Sequence, residues 1–154
     1  MAHDRNQILA SLLADVSGDL MKEISGIFSS NDRLTDRSLL ALYSVYGNVC
    51  ERAVELLEKD CVTFLSDPDG IRTVIQVTGS GGSLYTLLPE VNYCPCPAFR
   101  YHVVGTRTDM SCKHVLAAHL ASIMNKGSKR LINSSEVSEL LVKSYTNVPT
   151  LENS

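Results

Sequence analysis

Apolar residues recur near the start of the chain at Ile8, Leu12, Val16, Leu20, Ile24 and Phe28, with a second line through Leu9, Leu13, Leu20 and Ile27. Steps of three and four predict an amphipathic helix from Asn6 to Phe28. Ser17-Gly18 costs it about 1 kcal/mol relative to alanine and marks a candidate break. Ser29-Ser30-Asn31-Asp32 reads as a connector. Leu34 to Tyr46 carries a second helical pattern (Leu39, Leu40, Leu42, Tyr43, Tyr46), with Thr35 or Asp36 as its N-cap and Gly47 as its stop. A third helix is expected from Asn48, which has the capping-box partner Glu51 and an apolar face of Val49, Ala53, Val54, Leu56 and Leu57.

The period then changes from helical to alternating. Cys61 to Leu65 reads as a strand. In Ser66-Asp67-Pro68-Asp69-Gly70, Asp67, Pro68 and Gly70 suit the first, second and fourth places of a type I turn. Ile71 to Thr78 alternates, with Ile71, Thr73, Ile75 and Val77 on one side. Gly79-Ser80-Gly81-Gly82-Ser83 is a loop, and Leu84 to Leu88 is a third strand, stopped by Pro89. The expectation is a three-stranded antiparallel meander. Val115 to Met124 is helical, with Gly127 after it, and Val137, Leu140, Leu141 and Tyr145 mark a last helix behind Ser134-Ser135. The residues from Thr146 on read as a frayed tail. The fold class is α+β. Residues 1–30 form a helical arm, 31–60 a helical pair, 61–127 the meander with the segment that follows it, and 128–154 a short helix and tail.

Composition adds limits. With 154 residues, 44% of them hydrophobic and 20% charged, the chain can bury a core without needing a metal on account of its size. No apolar run approaches the roughly 18–20 residues of a membrane span. The start, Met-Ala-His-Asp-Arg-Asn-Gln, lacks a secretory apolar region, so a cytosolic or nuclear chain with reduced thiols is expected. Five cysteines are then not a disulfide framework.

Four residues carry chemistry. Cys94-Pro95-Cys96 and Cys112-Lys113-His114 are two tight pairs with fifteen residues between them. Three cysteines and a histidine complete a tetrahedral zinc set. In an extended segment, positions i and i+2 project to one side, and Pro95 and Pro97 keep that segment out of a helix. Cys112 is expected just before or at the start of the following helix, with Ser111 as cap and His114 in its first turn. Four protein donors leave no place for water, so the site reads as structural. Val91, Tyr93, Phe99 and Leu116 are expected to shield it. His102, inside the gap, is a competing ligand. Cys50 and Cys61 have no partner at ligand spacing and read as core, and His119 reads as surface or satisfied core.

Charge is uneven. The net charge is −3, yet residues 97–130 hold Arg100, Arg107, Lys113, Lys126, Lys129 and Arg130 against one acid, Asp109. That stretch carries +5 and the rest −8. It is either an ordinary solvated surface or a face for nucleic acid or an acidic partner. Tyr93, Phe99 and Tyr101 are available for base stacking or for a hydrophobic shell around the metal. The glycine-rich loop lacks the Gly-Lys-Ser/Thr of a phosphate cradle, and no nucleophile–base order occurs, so no enzymatic activity is expected.

On these residues the chain resembles the SWIM-type zinc finger family, whose pattern is Cys-x-Cys, a variable gap, then Cys-x-His. The likeness extends to Ala117, to Leu-Leu-Ala-Leu-Tyr at 39–43, to Ala53–Leu57, to the 66–70 turn and to Tyr93-Cys94-Pro95-Cys96-Pro97-Ala98-Phe99. It covers roughly residues 34 to 125 and is greatest with the small SWIM-domain subunits of Shu-type complexes. The resemblance implies one structural zinc ion on Cys94, Cys96, Cys112 and His114, with Ala117 and Phe99 as packing residues. It also implies pairing with a RecA-like recombinase paralogue, and assistance to recombinase filaments on single-stranded DNA in homologous recombination repair, in the nucleus. The other reading is a stand-alone zinc finger that binds nucleic acid through the basic segment 97–130.

Overall fold

The computed structural model describes residues 2–146. The expected tail beyond Thr146 lies outside them. The first helix, α1, runs unbroken over Ala2–Asn31. Ser17-Gly18 does not split it; Ser17 Oγ lies 2.6 Å from the Tyr46 hydroxyl, so the small residue is where α1 meets α2. Helix α2 is Asp36–Tyr46, and the Thr35 side chain caps it by accepting from the Ser38 N–H at 3.2 Å. Helix α3 is Asn48–Glu58. Its N-cap is Gly47 instead of Asn48, and no side chain caps it. One glycine with φ +56° both stops α2 and starts α3, which leaves no room for a separate capping box.

Strands β1 (Val62–Ser66), β2 (Thr73–Thr78) and β3 (Leu84–Leu87) form the expected antiparallel meander. The type I turn closes with Gly70 N–H on Asp67 C=O at 3.0 Å, and the Asp67 carboxylate accepts from the Arg72 N–H. Ile71 stands before β2, not in it, and is 81% exposed. Helix α4 is Lys113–Ile123. A fourth strand, β4 (Ser128–Leu131), corrects the expected three. It pairs parallel to β1, giving a mixed sheet of order β3-β2-β1-β4. The segment from Ser128, read as lying outside the meander, is therefore built into its sheet. Helix α5 is Ser134–Thr146.

The sheet is covered on both faces, which is why Val74 is buried beside Ile75 in a strand read as alternating. Val62, Ile75, Val77 and Leu87 pack with Ile24, Leu42, Ala53, Leu56, Leu116 and Leu120 of the helices α1 to α4. Leu65 and Val74 on the other face pack with Val137 of α5. Helix α4 is the centre of the larger core: Leu116, Ala117, Leu120 and Ala121 are almost wholly enclosed. No described helix is long and apolar enough to cross a membrane.

Candidate metal centre

The first pair sits on irregular backbone after β3. Cys96 precedes a π-helix, Phe99–Gly105, which fills much of what reads in sequence as a plain loop. Cys112 is the N-cap of α4, with extended backbone at φ −97°, ψ 164°. Ser111, expected as the cap, donates its hydroxyl to Asn92 Oδ1 at 2.7 Å, and so ties α4 to the loop that carries Cys94. His114 follows in the first turn. Both pairs thus arrive at the N-terminal end of α4.

The four donor atoms of Cys94, Cys96, Cys112 and His114 all lie within 4.8 Å of one another, and all four residues are buried. His114 Nδ1 is 3.8 Å from Cys94 Sγ and 3.9 Å from Cys112 Sγ. A tetrahedron with metal–sulfur bonds of about 2.3 Å and metal–nitrogen bonds of about 2.0 Å has sulfur–nitrogen edges of about 3.6 Å. The observed separations are close to corners of one coordination sphere and long for a hydrogen bond. The residues present therefore fit a single four-coordinate ion.

Protonation supports the fit. Three thiols so close, away from water, cannot all ionise without a cation. Hydrogen bonds donated by Cys112 and Cys94 draw Cys96 far below the ordinary thiol range, helped by His114 and by the Phe99 N–H at 3.3 Å. Cys94 is held far above that range by its bonds to Cys112 and Cys96 and by burial. At Cys112 the bond from Cys94 lowers the pKa, but the bond to Cys96 and burial outweigh it and push it up to about 12. A divalent cation removes this conflict by stabilising all three thiolates.

The histidine is oriented from outside the motif. With Nδ1 toward the sulfurs, Nε2 is buried without a hydrogen-bond partner. The Tyr85 ring packs on the imidazole at 4.5 Å between centroids. A Cβ on Gly79, in the β2–β3 turn, would stand 3.0 Å from the Tyr85 ring and 3.2 Å from His114 Nε2. Gly79 is thus the residue that lets the hairpin close over the ligand. Gly79→Ala is expected to weaken metal affinity about tenfold by turning the imidazole. Competition with a chromogenic chelator checks this, and unchanged affinity would show that the hairpin has no hold on His114.

The other expectations divide. Phe99 and Leu116 are buried beside the cluster, and Tyr93 is half-buried with its ring edge-on to Phe99 at 5.7 Å. Val91 is 42% exposed and shields nothing, because the chain turns outward at Glu90, where φ is +61°. Ala117 is fully enclosed, as expected of a packing residue. His102 is exposed on the π-helix, against Thr108, and does not compete for the metal. Cys50 is buried and Cys61 half-buried, and both are free thiols. His119 is half-buried, its Nε2 unpartnered, and burial lowers its pKa. The basic segment is not one face. Lys113 begins α4 while Lys126, Lys129 and Arg130 follow its end, roughly 16 Å away along the helix axis. Arg100 and Arg107 belong with the metal end, and sequence reasoning missed that Arg52, from α3, stands there too, lining the same cavity as His102.

An α+β domain that presents Cys-x-Cys and Cys-x-His at the start of a core helix is a zinc-finger protein of the SWIM type. Over 135 residues the chain is 33% identical to zinc finger SWIM domain-containing protein 7 of Mus musculus, covering 88% of each chain. The proteins of that name from Homo sapiens and Danio rerio are 31% and 32% identical, over 87% and 86% of this chain and 95% and 94% of theirs. The chain belongs to the zinc finger SWIM domain-containing protein 7 family. No family model and no solved structure matches it significantly.

Proposed function

We propose that the chain is a non-catalytic adaptor that holds one zinc ion on Cys94, Cys96, Cys112 and His114 and pairs with a RecA-like recombinase paralogue. In that pairing it assists recombinase filaments on single-stranded DNA during homologous recombination repair in the nucleus. The observation that carries the reading is the buried Cys3His cluster at the head of α4, within a chain of this family. Bound zinc would supply a cross-link between two loop segments and no reactive position, since four side chains fill its sphere.

The surface is also suited to a partner. Leu12 and Val16 on α1 and Leu40 and Tyr43 on α2 are exposed large apolar residues. A groove of about 860 Å³ runs between α1, α4 and the sheet, lined by Met21, Tyr46, Phe64, Ile75, Met110 and Ile123. Concave apolar surface of this extent suits an inserted partner segment. Purification of the tagged chain from its own cells, followed by mass spectrometry, tests the reading. A near-stoichiometric RecA-like ATPase, lost in Cys112→Ser and kept in a surface control such as Lys59→Ala, is expected. A chain that comes down without such an ATPase would overturn it.

A further inference from the structure

A cavity of about 700 Å³ opens between the α2–α3 corner and the π-helix. Ser44, Asn48 and Arg52 line one wall, and His102 and Thr108 another. Arg52 is exposed, and no hydrogen bond or ion pair among the described residues engages its guanidinium. Lys113 also borders the cavity, but its ammonium donates to Ser80 Oγ at 2.6 Å and is already engaged. Asp109 is the acid on the lining.

The backbone brings a second arginine to the rim. Thr106 N–H donates to Tyr101 C=O at 2.8 Å, and Thr108 N–H to His102 C=O at 2.9 Å. Arg107, between them at φ +54°, is therefore held beside Tyr101 and His102, and it is exposed. Tyr101 is 63% exposed, with its ring braced edge-on against His102 at 4.9 Å and 86°. A braced, open aromatic ring next to free guanidinium groups is a stacking platform beside phosphate contacts.

We propose that Arg52, Arg107, Tyr101 and His102 form a cationic cleft at the rim of the metal site that binds a single strand of nucleic acid. The arginines take the backbone phosphates and Tyr101 stacks on an unpaired base. A duplex offers no free base face to Tyr101, so the single strand is the fitting ligand. The cleft is a property of this chain alone and does not depend on a partner. It also differs from a basic face spread over 97–130, because Arg52 lies outside that stretch and Lys129 and Arg130 lie at the far end of α4.

The test is fluorescence anisotropy of the metal-loaded chain with a labelled oligothymidylate of about 20 nucleotides, at about 50 mM salt and upward. Tyr101→Ala is expected to weaken binding about tenfold. The Arg52→Glu, Arg107→Glu pair is expected to abolish it, and the Arg52→Ala, Arg107→Ala pair to lower the salt slope by about 1.4. The Lys129→Glu, Arg130→Glu pair should leave binding within about twofold. Metal content and thermal melts confirm that each variant is folded. No binding by the wild-type chain overturns the proposal. So does an equal loss in the Lys129, Arg130 pair, which would mean diffuse charge. Equal affinity for duplex, or displacement by polyglutamate of matched charge at equal concentration, overturns it as well.

Discussion

Cys112→Ser is expected to cost the chain its bound metal and, with it, its cooperative unfolding transition. Cys112 has two roles at one position. It is a ligand, and it is the N-cap of α4, the helix that the larger core is built around. Serine preserves a capping side chain, so the variant isolates the loss of the sulfur. Apparent binding free energies of structural zinc are about 10–16 kcal/mol in small zinc-finger peptides, whereas a whole domain is stable by about 5–15 kcal/mol. A metal contribution of that size is comparable to the stability of the entire fold. Without the ion, the buried cluster of thiols faces the charge conflict described above, and the loop around Cys94 and the π-helix lose their anchor. The expected readouts are one zinc per wild-type chain by elemental analysis, none in Cys112→Ser, and a broad, early thermal transition in the variant and in chelator-treated wild type. A wild-type melt that is indifferent to a strong chelator would mean that the helices and sheet hold the fold unaided.

Elements with local causes were legible in the sequence, and those made by distant contacts were not. The stripe on α1 is strong enough that the cost of Gly18 is absorbed, so the helix could be read although its continuity could not. The two ligand pairs were legible because each needs only an i, i+2 relation and a nearby stop or start of structure. The π-helix left no such trace. Its residues after Phe99 are mostly exposed and have no periodic apolar pattern. The seat of Gly79 over His114 was invisible for another reason: glycine in a hairpin turn is explained by the turn alone, and only the tertiary approach reveals its second role. Arg52 was missed because charge was summed along the chain, while the cavity it lines is assembled across α3 and the metal loop. Ser111 shows the same limit on a small scale. It suits a cap by position, yet a better acceptor, Asn92, reaches it in three dimensions.

Strand β4 is the clearest case of structure imposed by a partner element, and Gly127 is where that dependence can be measured. Ser128-Lys129-Arg130-Leu131 is exposed at every position and has no strand pattern of its own. It is a strand because β1 offers it a parallel ladder, Thr63 to Ser128 through Ser66 to Leu131. The chain enters that ladder directly from the end of α4, through Gly127 at φ +94°. A Cβ there would stand 2.9 Å from the Val62 carbonyl oxygen and 3.1 Å from the Phe64 ring. Both neighbours belong to β1, and the carbonyl cannot move without disturbing the sheet. Gly127→Ala therefore combines a disfavoured backbone conformation with an overlap, and is expected to destabilise the fold by about 3 kcal/mol. The loss should appear first at β4: faster amide exchange for Lys129 and Arg130, and a Phe64 ring newly open to solvent, before any change at the metal cluster. Urea unfolding with metal in excess measures the first part and hydrogen exchange the second. A variant as stable as wild type, with β4 protected, would mean that the strand reaches β1 without the turn that Gly127 makes.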